Sequence, residues 1–152
     1  MRGIADALQS MAATLWVGGM WAIGFIVAPT LFSTLPERAL AGLLAGKLFS
    51  LIAWIGIACA LYLLLYRLLR NGAGALRQGL FWIVLLMLVL TLAGEFGVQP
   101  VLAALKEQAL PKPVMESVLR DRFATWHGVA GGLYVIQSVL GVVLVVLLGR
   151  NK

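Results

Sequence analysis

Five polar side chains stand out in an otherwise apolar chain: Lys47, Glu95, Gln99, Arg122 and His127. Ionisable groups within or beside membrane-spanning runs are costly to desolvate, so they face the protein interior and pair, which makes each a candidate site. Glu95 and Gln99 are one helical turn apart and share a face. Glu95 has Lys47, Arg122 and His127 as its natural partners. Such a set can hold a small ligand or ion by charge-assisted hydrogen bonds. It is too sparse to specify a reaction, because Glu95 and His127 form an acid–base pair only in the weakest sense. A structural role competes for each group. A Glu95–Lys47 pair can fix helix register, and His127 can serve as an interfacial hydrogen-bonder.

Composition sets the surroundings of these groups. The chain has 152 residues, 62% of them hydrophobic and 12% charged, whereas soluble domains run nearer half apolar and a quarter charged. A span needs about 20 apolar residues. Four runs qualify, giving spans of about 8–32, 47–67, 79–102 and 123–148. None alternates with the period-two pattern of a barrel strand. The expected fold class is all-α, an integral-membrane four-helix bundle in a single domain covering residues 1–152. No internal repeat is evident.

Several function classes fall away. The formal net charge of +6 does not indicate nucleic acid, because the basic residues sit at helix ends, where they anchor spans and meet anionic lipid. Cys59 is the single cysteine, lies mid-run and reads as a small buried apolar residue. There is no H-E-x-x-H, C-x-x-C, G-x-S-x-G or Gly-rich phosphate loop. One histidine cannot give bis-histidine haem ligation, so no cofactor is expected. A haem or metal ion bound through His127, in a redox protein, is the alternative reading. The first apolar run is too long for a cleavable signal and reads as a retained first helix.

The helices must position the polar groups. The first helix, about Asp6 to Phe32, is rich in small residues, and Pro29 frees the carbonyl of Phe25. Thr34-Leu-Pro-Glu37 has the form of a capping box and predicts that the second helix starts at Thr34 and runs to about Arg70. The third, Gln78 to Ala109, should kink at Gln99-Pro100. Pro113 suits the first turn of the fourth, whose beginning, Met115–Arg122, is charged and amphipathic. Helices 2–4 therefore overhang on one side. The small residues Gly18, Gly19, Gly42, Gly46, Gly128 and Gly132 are expected as packing positions inside the bundle. The fourth-helix face through Gly131, Tyr134, Ser138 and Gly141 is expected to line a narrow polar cleft with His127.

Basic residues count evenly on the two sides: Arg2, Arg67, Arg70, Arg77, Arg150 and Lys152 against Arg38, Lys47, Lys106, Lys112, Arg120 and Arg122. The Arg67–Arg77 turn is short and purely basic, so both termini are placed in the cytoplasm and the polar cluster near the outer face of a bacterial inner membrane.

Leu15-Trp-Val-Gly-Gly19, Ala28-Pro-Thr-Leu-Phe32, Lys47-Leu-Phe49, Gln99-Pro100 and Phe123-x-x-x-His127-Gly128 together resemble a family of small bacterial four-helix membrane proteins of unknown function, related to the animal transmembrane protein 205. That resemblance covers nearly the whole chain and implies a link to export or trafficking. Leu15–Gly19 also looks like the first helix of copper-resistance D-type proteins and of the J-type protoporphyrinogen oxidase, but this first helix has no histidine.

The expected function is thus a non-enzymatic, multi-pass membrane protein binding a small ligand, ion or partner at the outer cleft, in transport or in support of a membrane complex. A structural subunit or assembly factor is the further alternative. The lipid bilayer is the certain partner, a homodimer or larger membrane complex a further one.

Overall fold

The computed structural model describes residues 2–150. Four helices are each long and apolar enough to cross a membrane, and the chain is a multi-pass, all-α membrane bundle. Helix α1 runs over Arg2–Trp21, widens into a π-helical turn at Ala22–Val27 and continues as Ala28–Thr34. Helix α2 is Arg38–Asn71, followed by a 3₁₀ segment at Gly72–Arg77. Helix α3 repeats the pattern of α1: Gly79–Leu92, a π turn at Ala93–Val98, then Gln99–Ala109. A short 3₁₀ turn, Val114–Glu116, leads to helix α4, Arg120–Arg150. The helices pack in cyclic order, α1 on α2, α2 on α3, α3 on α4 and α4 on α1.

Two boundaries differ from those the sequence suggests. Thr34 does not start α2; it ends α1, and Leu35 and Glu37 are extended, with ψ of 131° and 107°. Pro36 explains this, because a proline pushes its preceding residue out of the helical region. Glu37 occupies the N-cap of α2 without a side-chain hydrogen bond, so no capping box forms. Likewise the helix expected from Pro113 stops after one 3₁₀ turn. Ser117 is extended, its Oγ accepts from the Leu119 amide at 3.1 Å, and α4 begins only at Arg120. Local side-chain bonds of this kind offer the backbone an alternative to the helix.

Helix α2 has 34 residues, about 51 Å at ~1.5 Å per residue, well beyond a hydrocarbon core of ~30 Å. The α2–α3 turn is closed by Gly72, whose φ of 54° is left-handed and suits glycine.

The core is built from one or two bulky side chains of every helix: Trp16, Leu63, Val84, Met87 and Leu144 are each no more than 1% exposed. Cys59 is buried among them. Trp16 fits because Gly56 faces it; a Cβ there would lie 2.3 Å from Trp16 Nε1. Large apolar side chains such as Leu15, Trp54, Leu61 and Val139 point outward. On a soluble protein that surface would drive aggregation, whereas lipid solvates it.

Candidate functional site

The third helix is the element that shapes the site. Pro100 has no N–H, so the carbonyl of Phe96, four residues earlier, has lost its usual donor. The backbone widens just before it: the Gln99 amide bonds back to the Gly94 carbonyl, five residues away. Glu95 lies within this wide turn, half-buried, and its Oε1 accepts a hydrogen bond from Ser50 Oγ of α2.

Glu95 and Gln99 line a groove of about 460 Å³ between α2 and α3, together with Lys47, Ser50 and Lys106. Gly42 and Gly46 keep the α2 wall low, and Leu43, Leu102 and Ala103 supply apolar surface. The ionised side chains of the lining are thus one carboxylate and two ammonium groups. Neither lysine touches the carboxylate directly: among the described residues the ion pair in direct contact is Arg70–Asp6, at the other end of the bundle. Lys106 instead places its Nζ 5.7 Å from the centre of the Phe123 ring on α4, a cation–π contact.

The sequence-predicted residues divide accordingly. Lys47, Glu95 and Gln99 come together in the groove. Arg122 and His127 do not line it. His127 is exposed and stacks on Phe123, with centroids 5.8 Å apart and planes at 15°. It reaches the groove only through the row His127–Phe123–Lys106. Ser50 and Lys106 are the additional members. Their signal was their spacing: Ser50 is one turn from Lys47, and Lys106 is two turns from Gln99 on the same face.

Of the fourth-helix face expected to line a cleft, Gly131 is exposed with open space around it, and the part from Tyr134 onward is filled by α1 instead. The Tyr134 hydroxyl donates to the Met20 carbonyl, the Trp21 indole N–H donates to the Ser138 carbonyl at 3.3 Å, and a Cβ on Gly141 would meet Val17 at 3.0 Å. Of the glycines expected inside the bundle, Gly19 does pack closely, since a Cβ there would lie 2.6 Å from Ile52 Cδ1. Gly42 is half-buried, with Phe32 at 3.8 Å from a built Cβ. Gly18, Gly46, Gly128 and Gly132 have open space where a Cβ would stand, and Gly18, Gly128 and Gly132 are exposed. The other close-packed glycines are Gly24, Gly56 and Gly141, each opposite a bulky side chain of another helix. Among the described residues no three His, Cys, Asp or Glu side chains come together as a metal site.

Residues 11–111 match the model of a family described as a domain of unknown function (DUF4149). That stretch holds most of α1 and all of α2 and α3, and with them the whole groove lining. Among curated proteins and among solved structures, none matches the chain.

Proposed function

The chain belongs to the DUF4149 family, a domain of unknown function, and from that premise we propose that it is an inner-membrane protein binding a small ligand with an anionic group in the α2–α3 groove. The observation that carries this reading is the charge arrangement there. Glu95 is held by Ser50, while Lys47 and Lys106 face the same groove without a carboxylate in contact. Cations beside apolar walls and unmatched by a carboxylate favour an incoming anion. The π turn supports the reading as well, because such turns concentrate at functional sites, where they offset a side chain from the regular helical face.

In this reading Lys47 and Lys106 supply the positive charge and Gln99 a carboxamide that can donate or accept. Glu95 repels the anionic group and so turns it toward the lysines, and Leu43 and Leu102 contact an apolar portion of the ligand. His127 and Arg122 act at the rim. The role is transport or support of a membrane complex, and the resemblance to the animal transmembrane protein 205 leans it toward export. Both termini lie in the cytoplasm in this proposal. The first turns of α1, the last turns of α4 and the basic α2–α3 turn meet around one cavity, which puts both termini on the side of that turn, and the positive-inside rule favours the cytoplasm for it.

Native mass spectrometry of protein purified in mild detergent tests the binding. A small-molecule adduct is expected on the unaltered protein and lost in the K47Q/K106Q double variant. Identical adduct spectra for the two would refute it.

A further inference from the structure

The opposite end of the bundle holds a second, larger cavity, of about 760 Å³, where the first turns of α1, the α2–α3 turn and the last turns of α4 meet. Its ionised lining side chains are Asp6, Arg67 and Arg70, one carboxylate against two guanidinium groups. Asp6 is already engaged. Arg70 Nη1 contacts its Oδ1, and the Tyr66 hydroxyl donates to the same oxygen at 2.6 Å. Arg67 is half-buried and left with neutral partners. Its Nη1 donates to Oε1 of Gln78, the N-cap residue of α3, at 2.9 Å. With the Gln9 carboxamide oxygen turned toward it, Gln9 of α1 accepts from Nε at 3.2 Å and Nη2 at 2.8 Å.

That arrangement fixes the Arg67 guanidinium between two carboxamides from different helices, and Gln9 is itself only 6% exposed. An arginine has five N–H donors. Three are used here, which leaves one on each terminal nitrogen. A guanidinium offering paired donors matches two oxygens of a tetrahedral oxyanion, and a held guanidinium loses little freedom on binding. Among the described residues no carboxylate is in direct contact with Arg67, so its two remaining donors and much of its charge are left for an incoming anion. Leu80, Leu147 and Leu148 give the cavity apolar walls.

We infer that the cavity around Arg67 is a binding site for a phosphate group, with Arg67 as its anchor and Arg70 as a second cation. Two sources share that chemistry: the headgroup of an anionic phospholipid at the bundle end, or a soluble phosphate ester. The site is separate from the α2–α3 groove and stands or falls independently of it.

The test is thermal unfolding of the full chain in a nonionic detergent at fixed salt, with three additives: phosphatidylglycerol, glycerol 3-phosphate, and diacylglycerol as the phosphate-free control. The expected result is a rise in Tm of several degrees with phosphatidylglycerol and none with diacylglycerol. A rise with the lipid alone identifies a headgroup site, and a rise with glycerol 3-phosphate as well shows that the phosphate suffices. The rise should vanish in R67Q and at least halve in R67K, which keeps the charge but not the fork. It should persist in R77Q, which removes the same charge from an exposed arginine at the same end. D6N, which adds a net positive charge, should enlarge it. No rise with either phosphate compound, an equal rise with diacylglycerol, an undiminished rise in R67K, or equal losses in R67K and R77Q would each overturn the site. Should R67Q fail to fold, R67K against R77Q decides.

Discussion

The two π turns use one backbone device for opposite ends. Ala22–Val27 in α1 and Ala93–Val98 in α3 are each followed, two residues on, by a proline, Pro29 and Pro100. In both, the residue before the proline closes a five-residue turn, Ala28 to Ile23 and Gln99 to Gly94. Superposed in register, Ala22, Phe25, Val27 and Pro29 fall on Ala93, Phe96, Val98 and Pro100. Both phenylalanines face outward against a tryptophan, Trp21 at 5.4 Å and Trp54 at 5.7 Å. The positions between them decide the outcome. Gly24 corresponds to Glu95 and Ala28 to Gln99. At Gly24 the absent side chain admits the Tyr134 ring, which closes α4 onto α1. At Glu95 the same place in the turn carries a carboxylate aimed at Ser50 and an open groove. A proline-linked wide turn therefore creates a position out of helical phase, and the residue put there determines whether it packs against a neighbouring helix or faces a groove.

The largest effect is expected from filling the packed turn. In Gly24→Ala the new Cβ would lie 2.2 Å from Tyr134 Cε1, an overpacking worth about 1–3 kcal/mol. Gly97→Ala in the other turn meets nothing within 4 Å and should cost at most the modest change of an exposed helical site. Thermal unfolding in detergent separates the two, and equal losses would end the comparison. Tyr134→Phe comes next. It removes the hydroxyl that satisfies the Met20 carbonyl while the ring stays against Phe49 at 5.0 Å. The expected loss is about 0.5–1.5 kcal/mol, read in the same assay.

Glu95→Gln should cost less in stability, under ~1 kcal/mol, because a carboxamide oxygen still accepts from Ser50. Removing the negative charge should strengthen the groove's hold on an anion, seen as a more abundant adduct by native mass spectrometry. A weaker adduct would mean that the carboxylate itself contacts the ligand. Smallest is Pro100→Ala, which returns a donor to the Phe96 carbonyl. The regained hydrogen bond and the freer unfolded chain oppose one another, so stability should change by less than about 0.5 kcal/mol, while the adduct falls as the turn loses its reason to stay wide. The matching Pro29→Ala change should leave the adduct alone.

Much of this molecule is legible along the chain. Its spans follow from the length of apolar run that a bilayer demands, a one-dimensional requirement. Lys47, Glu95 and Gln99 could be picked out because a polar group in such a run must have a reason to be there. The turn between α2 and α3 was marked by glycine and arginine. Ser50 carries no such mark, because a hydroxyl bonds its own helix as readily as a neighbour's. The repeat is hidden because half of its eight positions differ, and those are the ones that set the packed turn apart from the groove.

What the sequence alone determined is the number of helices, their approximate limits, and the polar residues that cannot sit idle among them. Only the tertiary structure decided which face of each helix turns inward. Lipid and core are both apolar, so a span such as α4 carries no strong hydrophobic asymmetry to read. Gly128 and Gly132 could equally face a neighbour or the bilayer, and they are exposed. His127 could equally face Glu95 or Phe123, and it stacks on Phe123. The helices' rotation is set by where bulk meets absence, Trp16 on Gly56 and Tyr134 on Gly24. That complementarity exists only between helices, so no single stretch of chain records it.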